Sequence, residues 1–169
     1  MAAFVSAAQI IGVTSMIASI SFIGIPAIAL APPEIAARQW QKAYNIGKAS
    51  APPFAITSAA CFAYLAYAFR HAISKPNAMG LKSPMVLYAV AAVAIPCIVP
   101  FTILVMNPRA NLRLIALAGE AEQAGKGKTV GTSEGEVRQL LRTWTAMNYV
   151  RAVVVGAGAV LGAVATMGM

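Results

Sequence analysis

Three polar or aromatic residues of the last apolar segment, Trp144, Asn148 and Arg151, are spaced i, i+4 and i+7. This spacing places them on one stripe of a helix. Residues 152–165 carry no charge, so a helix that crosses a membrane from about Arg142 takes Arg151 into or just beneath the apolar layer. A guanidinium there costs at least about 2.5 kcal/mol unless it snorkels or finds partners. An ionisable group inside the membrane is by default a sign of function, so the stripe indicates a functional site.

The composition is that of a membrane protein. Hydrophobic residues make up 59% of the 169 residues, and the mean hydropathy is +0.72. These values predict one integral membrane domain over residues 1–169. Lys and Arg exceed Asp and Glu by 13 − 5 = 8, and the basic residues lie mainly between the apolar runs. There they indicate topology and contacts with lipid headgroups, and we expect no nucleic-acid partner.

Four apolar runs predict an all-α, integral membrane four-helix bundle. They span about residues 4–30, 54–70, 84–106 and 143–167. Each is close to the roughly 20 residues that a membrane-spanning helix needs. Gly24 and Pro26 predict a tilt or kink near the end of the first run. Gly158 and Gly162 form a GxxxG pair that can join helices within one chain or between two copies.

The first loop has a helical pattern of its own. Residues 36–47 predict a short amphipathic helix that Gly47 closes, with Trp40 and Tyr44 at i and i+4 as its aromatic stripe. Loops 32–50 and 107–142 together carry nine Lys or Arg residues, against three between the second and third runs. The positive-inside rule therefore predicts that both loops are cytoplasmic.

Two prolines, Pro96 and Pro100, lie four residues apart in the third run. Each removes a backbone donor and frees a carbonyl one turn back, and Thr102 offers a hydroxyl nearby. The pattern predicts either a structural kink or a widened, polar-lined pocket, and the sequence leaves both open.

Topology alone predicts that polar and aromatic residues from several segments meet at one mouth. Such a mouth suits a flat, oxygen-rich aromatic ligand, because aromatic rings enclose its faces while Arg and Asn bind its oxygens. The alternative is a set of interfacial anchors with a buried Arg–Asn–carbonyl network that holds the helices together. The residues concerned are Arg38, Trp40, Tyr44, Asn45, Asn111, Arg113, Trp144, Asn148 and Arg151.

Other kinds of site find little support in the sequence. His71 is the single histidine, Cys61 and Cys97 stand alone in apolar runs, and no run contains a carboxylate. We therefore expect no Ser-His-Asp triad, no metal site and no chemistry on a protein thiol.

Three motifs resemble the anthrone oxygenase-like family of small four-helix membrane proteins. They are Val99-Pro100-Phe101-Thr102 followed by Met106 and Asn111, then Trp144-x-x-x-Asn148-x-x-Arg151, and in the first loop Ala37-Arg38-Gln39-Trp40 with Tyr44 and Gly47. The resemblance implies that a polyketide anthrone is oxidised to an anthraquinone by O2 as co-substrate, with no added cofactor.

The resemblance also implies roles for individual residues. Arg151 with Asn148 would bind the substrate's enolate oxygen, and Trp144 and Trp40 would stack on its rings. Tyr44, six residues after Arg38, would accept or relay the proton, a task that a water or hydroxide held by Asn and Arg would serve as well. Asn111 would orient the polar edge, and the remaining substrate-binding positions would be Pro100, Phe101, Thr102 and Met106.

A second hypothesis is a non-enzymatic protein, namely a membrane carrier or an assembly subunit for hydrophobic metabolites. Carriers often show internal repeats, and no convincing repeat is visible in this sequence. For either function we expect an endomembrane location such as the endoplasmic reticulum.

Overall fold

A computed structural model describes residues 2–71, 83–124 and 133–167, and the regular structure of these residues is entirely helical. The α-helices are α1 (Ala2–Ser19), α2 (Ile25–Ile28), α3 (Pro33–Ala68), α4 (Pro84–Ala94), α5 (Ile98–Phe101), α6 (Leu112–Ala124) and α7 (Glu134–Met167). Two π-helical segments, Ile20–Gly24 and Thr102–Asn111, join α1 to α2 and α5 to α6.

Four helical stretches of the described residues are long and apolar enough to cross a membrane. They are Ala8–Ile28, Pro33–Ala68, Pro84–Gln123 and Glu134–Thr166. The predicted all-α, integral membrane architecture is therefore confirmed. Each stretch contains one of the four apolar runs or most of it.

The prediction that Gly47 closes a separate helix is wrong. The amphipathic segment is helical, but it forms the first part of α3, which continues through Gly47, Pro52 and Pro53 to Ala68. A glycine in a helix costs only about 1 kcal/mol relative to alanine. Buried side chains before and after it, such as Trp40 and Phe62, outweigh so weak a local signal.

The loop predicted over residues 107–142 is also largely helical in the structure. Its first part lies in the second π-helical segment and in α6, and its last part begins α7. The glycine- and lysine-rich centre of this loop, residues 125–132, lies outside the described residues.

Both predicted irregularities are present and lie next to prolines. The first π-helical segment ends at Gly24, two residues before Pro26. In the third apolar run, α4 ends at Ala94 and a turn over residues 95–97 includes Pro96. The missing N–H of proline explains why the regular α-helical ladder stops at these places.

The chain divides into two compact units. The first unit consists of Met1–Ser15, Ala51–Ile98 and Arg151–Met169, and the second consists of Met16–Ser50 and Val99–Val150. The prediction of a single domain over 1–169 stays a prediction.

The first unit is built around the aromatic side chain of Phe62. Its ring stacks on Tyr88 with centroids 6.1 Å apart, and both side chains are fully buried. A Cβ added to Gly162 would lie 2.5 Å from the Phe62 ring, so the glycine allows this close approach. A Cβ added to Gly158 would lie 3.4 Å from Ala94 Cβ and 3.6 Å from the Ala91 carbonyl, which is ordinary contact. Both glycines of the GxxxG pair therefore pack against other helices within the chain.

The second unit has an apolar core that contains two tryptophans. Its buried members are Ile25, Ala36, Ala37, Trp40, Met106, Ala110, Leu114, Leu117, Ala118, Val137, Leu141, Trp144 and Met147. At its surface, Arg113 of α6 bonds Glu136 of α7 at 2.6 Å and Glu120 at 3.2 Å. This unit contains all the predicted site residues except Arg151.

Candidate active site

An aromatic cluster forms the centre of the second unit. Trp40 of α3 stacks on Tyr44, with ring centroids 5.1 Å apart and planes 14° apart. Trp144 of α7 meets Trp40 edge to face, with centroids 5.9 Å apart and planes at 85°. The i, i+4 spacing on α3 produces the first contact, and the packing of α7 against α3 produces the second. The structure thus brings together three of the predicted site residues.

The second π-helical segment contributes to the same core. Met106 and Ala110 are fully buried in it, and Phe101, the residue before the segment, packs against it. Asn111, also fully buried, donates from Nδ2 to Asn107 Oδ1 at 2.8 Å. π-helical insertions are rare and frequently occur at functional sites. This segment carries three of the predicted substrate-binding residues, Thr102, Met106 and Asn111, and a fourth, Phe101, directly precedes it.

Three buried polar atoms of the second unit have no hydrogen-bond partner among the residues that the structure describes. They are the indole Nε1 atoms of Trp40 and Trp144 and the amide Oδ1 of Asn111. The two tryptophan side chains are 1% and 3% exposed. A buried polar group left unpaired costs about 1–3 kcal/mol. Two donors and one acceptor can be satisfied by a ligand that carries both an acceptor oxygen and a hydroxyl group.

Asn148 makes a network between helices. Its Nδ2 donates to the Ile17 carbonyl and to Ser21 Oγ, both at 2.8 Å. Ile17 lies in α1 and Ser21 in the π-helical segment that follows, and both Asn148 and Ser21 are 2% exposed. The two amide hydrogens therefore hold the start of the first π-helical segment against α7. For this amide, the structure shows the helix-joining network that the sequence left open as an alternative.

The remaining predicted residues are exposed or half-buried. Arg38 is exposed and lines a groove on the surface of the second unit. Pro100 is exposed and Thr102 is half-buried. Arg151 is half-buried and belongs to the first unit, one turn beyond Asn148 along α7. Their assignment as site residues stays a prediction.

Sequence reasoning missed Ser21 and Asn107. Ser21 lies in an apolar run with no polar neighbour, so its sequence signal is weak. Asn107 precedes Asn111 by four residues, a spacing at which an amide pair is expected on a helix. Among the described residues, no group of three His, Cys, Asp or Glu side chains could hold a metal ion.

Comparison with known proteins identifies the family of this core. A family model described as anthrone oxygenase matches residues 40–161. The chain belongs to the anthrone oxygenase family. The matched range begins at Trp40 and includes Trp144 and Asn148, so it contains the whole aromatic cluster.

Curated relatives support the same family. The chain is 30% identical to anthrone oxygenase encC of Aspergillus fumigatus over 77% of this chain and 69% of that protein. It is 33% identical to anthrone oxygenase ptaC of Pestalotiopsis fici, over 72% of this chain and 77% of that protein. It is 34% identical to anthrone oxygenase nsrD of Aspergillus novofumigatus, over 74% of this chain and 67% of that protein. No solved structure matches the chain.

Membership of this family makes the chain an enzyme, an oxygenase. The predicted family is confirmed, and the aromatic core of the second unit is its candidate active site.

Proposed function

We propose that this enzyme oxidises a polyketide anthrone to the corresponding anthraquinone with O2 and without a bound cofactor. The observation that carries the proposal is the family match over residues 40–161, which encloses the aromatic cluster. The names of the three relatives supply the substrate class. The family match favours the enzyme over the carrier hypothesis.

The reaction balances without a further redox partner. An anthrone carries an acidic methylene, because loss of its proton gives a delocalised anthracenolate. This anion transfers one electron to O2, and the two radicals combine to a peroxide at the former methylene carbon. The peroxide takes up a proton and loses water as the remaining C–H proton leaves, which produces the quinone carbonyl. One O2 is consumed and one H2O is released. The electron-rich substrate anion reduces O2 itself, which is the step that a cofactor performs in other oxygenases.

The enzyme then has two tasks, to remove a proton and to stabilise an oxyanion. Preorganised donors in a water-poor site are the most effective means for the second task. Arg151 is the donor that we assign to the oxyanion, since its charge matches and it lies on the same face of α7 as Trp144. Both amide hydrogens of Asn148 donate within the protein, so we assign Asn148 to holding the helices.

Proton removal is assigned to Tyr44, either directly or through water. Its ring stacks on Trp40 and its side chain is half-buried, which allows the hydroxyl to lie at the edge of the core. Arg38 is exposed in the surface groove, and we leave it out of the chemical step. Asn111 offers an acceptor to a substrate hydroxyl through its buried Oδ1.

The aromatic rings bind the flat substrate by their apolar surfaces. One face of Trp40 is already covered by Tyr44, so the substrate stacks on Trp40 from the other side or displaces Tyr44. Met106 and Phe101 complete the apolar wall. Because the two indoles are almost fully buried, substrate entry includes an outward movement of side chains around them.

We further propose that residues 32–50 and 107–142 face the cytoplasm of an endomembrane such as the endoplasmic reticulum. Nine basic residues in these segments against three between the second and third runs support this orientation. It would let the enzyme take up an aromatic product released in the cytosol.

The test of the function is conversion of a synthetic anthrone by the purified full chain in detergent under air. Anthraquinone formation and O2 uptake are measured with EDTA present, and boiled protein gives the background rate. The proposal predicts equimolar consumption of O2 and anthrone above background. Binding of the anthrone without conversion would favour a carrier instead, and a rate abolished by EDTA would contradict cofactor independence.

The role of Arg151 is tested in the same assay with Arg151→Ala and Arg151→Lys. Loss of a donor to a developing oxyanion lowers turnover by about 10²–10³-fold, so this loss is expected for Arg151→Ala. Arg151→Lys keeps a cation and should retain part of the turnover. A matched control is Arg138→Ala, which removes an exposed arginine of the same helix that pairs with Glu134. Near-normal turnover by properly folded Arg151→Ala would overturn the assignment.

A further inference from the structure

A polar groove of about 430 Å³ lies on the second unit, between the first half of α3 and the end of α6. Two cations, three amides and one carboxylate line it, namely Arg38, Lys42, Gln39, Gln41, Asn45 and Glu122. The groove is separate from the chemistry proposed above, because its lining includes neither indole nor Tyr44. It has a net charge of +1, with five of its six polar groups able to donate hydrogen bonds.

The α3 wall of the groove is a continuous polar stripe. Arg38, Lys42 and Asn45 are spaced i, i+4 and i+7, and all three are exposed. Trp40, two residues after Arg38, is 1% exposed on the opposite side of the helix. Because α3 is amphipathic, the Trp40 side chain lies in the core and the side chains of Arg38 and Lys42 lie on the surface.

The groove lies close to the boundary between apolar and polar surface. Ile25, near the end of the first spanning stretch, packs in one cluster with Ala36 and Ala37 of α3, which puts this end level with Arg38. Apolar side chains around this end face outward, with Phe22 75% and Leu30 88% exposed. Such surface belongs in the lipid phase, so the neighbouring cations lie where phosphate headgroups begin.

We propose that this groove binds the headgroup of an anionic membrane phospholipid, with the phosphate between Arg38 and Lys42. The two cations supply charge-assisted hydrogen bonds, and the amides of Gln39, Gln41 and Asn45 bind ester and headgroup oxygens. Ile35, the apolar member of the lining, packs against the upper acyl chain. Glu122 opposes the phosphate charge and therefore limits the affinity.

A lipid is the better source of this phosphate than a soluble anion. The lining is open and exposed, so a free phosphate would gain little there over water. A phospholipid is held at this depth by its acyl chains, which raises its effective concentration at the groove. The hydrogen bonds of each cation to the phosphate then contribute about fivefold in association.

The experiment is native mass spectrometry of the purified full chain in detergent, titrated with phosphatidic acid or phosphatidylcholine. Arg38→Gln and Lys42→Gln should each lower the association constant for phosphatidic acid about fivefold, and the double variant about twenty-five-fold. Arg38→Lys keeps the charge and should stay within about twofold of the unchanged chain. Glu122→Gln should strengthen the binding, because it removes the opposing charge.

The matched control is Lys48→Gln, since Lys48 is an exposed lysine of the same helix that does not line the groove. The proposal predicts that this variant binds phosphatidic acid like the unchanged chain. An equal loss in Lys48→Gln would show diffuse attraction to basic surface, and would overturn a defined site. Equal binding of phosphatidylcholine and phosphatidic acid by the unchanged chain would overturn it as well.

A second arm separates the two sources of phosphate. Inorganic phosphate and glycerol 3-phosphate are added as competitors while bound phosphatidic acid is counted. Displacement only at concentrations far above that of the lipid supports the lipid site. Displacement at equal concentration would show a site for soluble anions and overturn the proposal. Thermal unfolding of each variant confirms that the compared proteins are folded.

Discussion

The indole rings of Trp40 and Trp144 meet edge to face, with centroids 5.9 Å apart, in the core of the second unit. Trp40 lies in the polar, amphipathic part of α3, and Trp144 lies on α7, far along the chain. Their contact joins the two helices that carry Tyr44 and Asn148. Neither ring is open to solvent, so the pair contributes to stability as well as to the candidate site.

The first prediction concerns the energy of this aromatic pair. Trp40→Ala should lower the free energy of unfolding by about 3–5 kcal/mol, because a large buried side chain is removed. A double-mutant cycle with Trp144→Ala should give a coupling of about 0.5–1.5 kcal/mol from the edge-to-face contact. Unfolding in detergent, followed by tryptophan fluorescence or circular dichroism, measures both. Tyr149→Ala serves as the control partner: it is a partly exposed aromatic residue of α7, and the expected coupling to Trp40 is near zero.

The second prediction concerns the bonds of Asn148 to the first π-helical segment. Asn148→Leu removes two buried hydrogen bonds and leaves the Ile17 carbonyl without this donor. The free energy of unfolding should fall by about 1–3 kcal/mol, and Ser21→Ala should cost less because one of the bonds remains. Thermal unfolding in detergent checks the order of the variants.

The control for Asn148 is Thr145→Val on the same helix. The Thr145 hydroxyl donates to the Leu141 carbonyl of its own helix at 2.8 Å and bonds no other helix among the described residues. Its loss should change the stability by less than about 0.5 kcal/mol. If Thr145→Val and Asn148→Leu lowered the free energy of unfolding equally, the bonds to Ile17 and Ser21 would contribute no more to stability than a bond within one helix.

The third prediction compares two glycines with opposite surroundings. A Cβ at Gly162 would meet the Phe62 ring at 2.5 Å, so Gly162→Ala should destabilise the protein by about 1–3 kcal/mol. A Cβ at Gly47 meets nothing within 4 Å, and the residue lies inside α3. Gly47→Ala should therefore stabilise by about 0.5–1 kcal/mol. Thermal unfolding distinguishes the two signs.

A rescue variant makes the Gly162 prediction specific. Shortening Phe62 to leucine in the Gly162→Ala background should recover part of the lost stability, since the ring atoms in conflict are removed. If stability were not recovered, the steric conflict of the alanine at position 162 would not lie with the Phe62 ring. A destabilised Gly47→Ala would contradict the continuous course of α3 through that position.

The sequence was sufficient for features that depend on periodicity and composition. Four apolar runs of spanning length predict four helices, and prolines predict the breaks near Gly24 and Pro96. The family motifs identify an oxygenase and name the residues Trp40 and Trp144 that prove to be in contact. These are local signals, and tertiary packing reinforces them.

The features that the sequence could not predict depend on which face of a helix meets which neighbour. Gly47 looks like a helix end, but side chains buried on both sides carry α3 through it. Asn148 shares a stripe with Arg151, and only the packing of α1 shows that its amide is bonded to Ile17 and Ser21.

The fourth prediction concerns the indole N–H groups of Trp144 and Trp40 in catalysis. Both donors are buried without a partner among the described residues, so a substrate oxygen can receive them as charge develops on it. Replacing Trp144 by 3-benzothienylalanine exchanges the N–H for sulfur and nearly retains the shape of the ring. If the N–H binds the developing oxyanion, turnover should fall by about tenfold or more while the KM for the anthrone changes little.

Trp144→Phe should lower turnover and stability together, because it removes both the donor and ring volume. The same replacement at Trp40 shows whether one indole or both donate, and O2 uptake measures each rate. Turnover at the unchanged rate in both benzothienyl proteins would restrict the tryptophans to apolar contact, and would leave Arg151 as the donor that the chemistry requires.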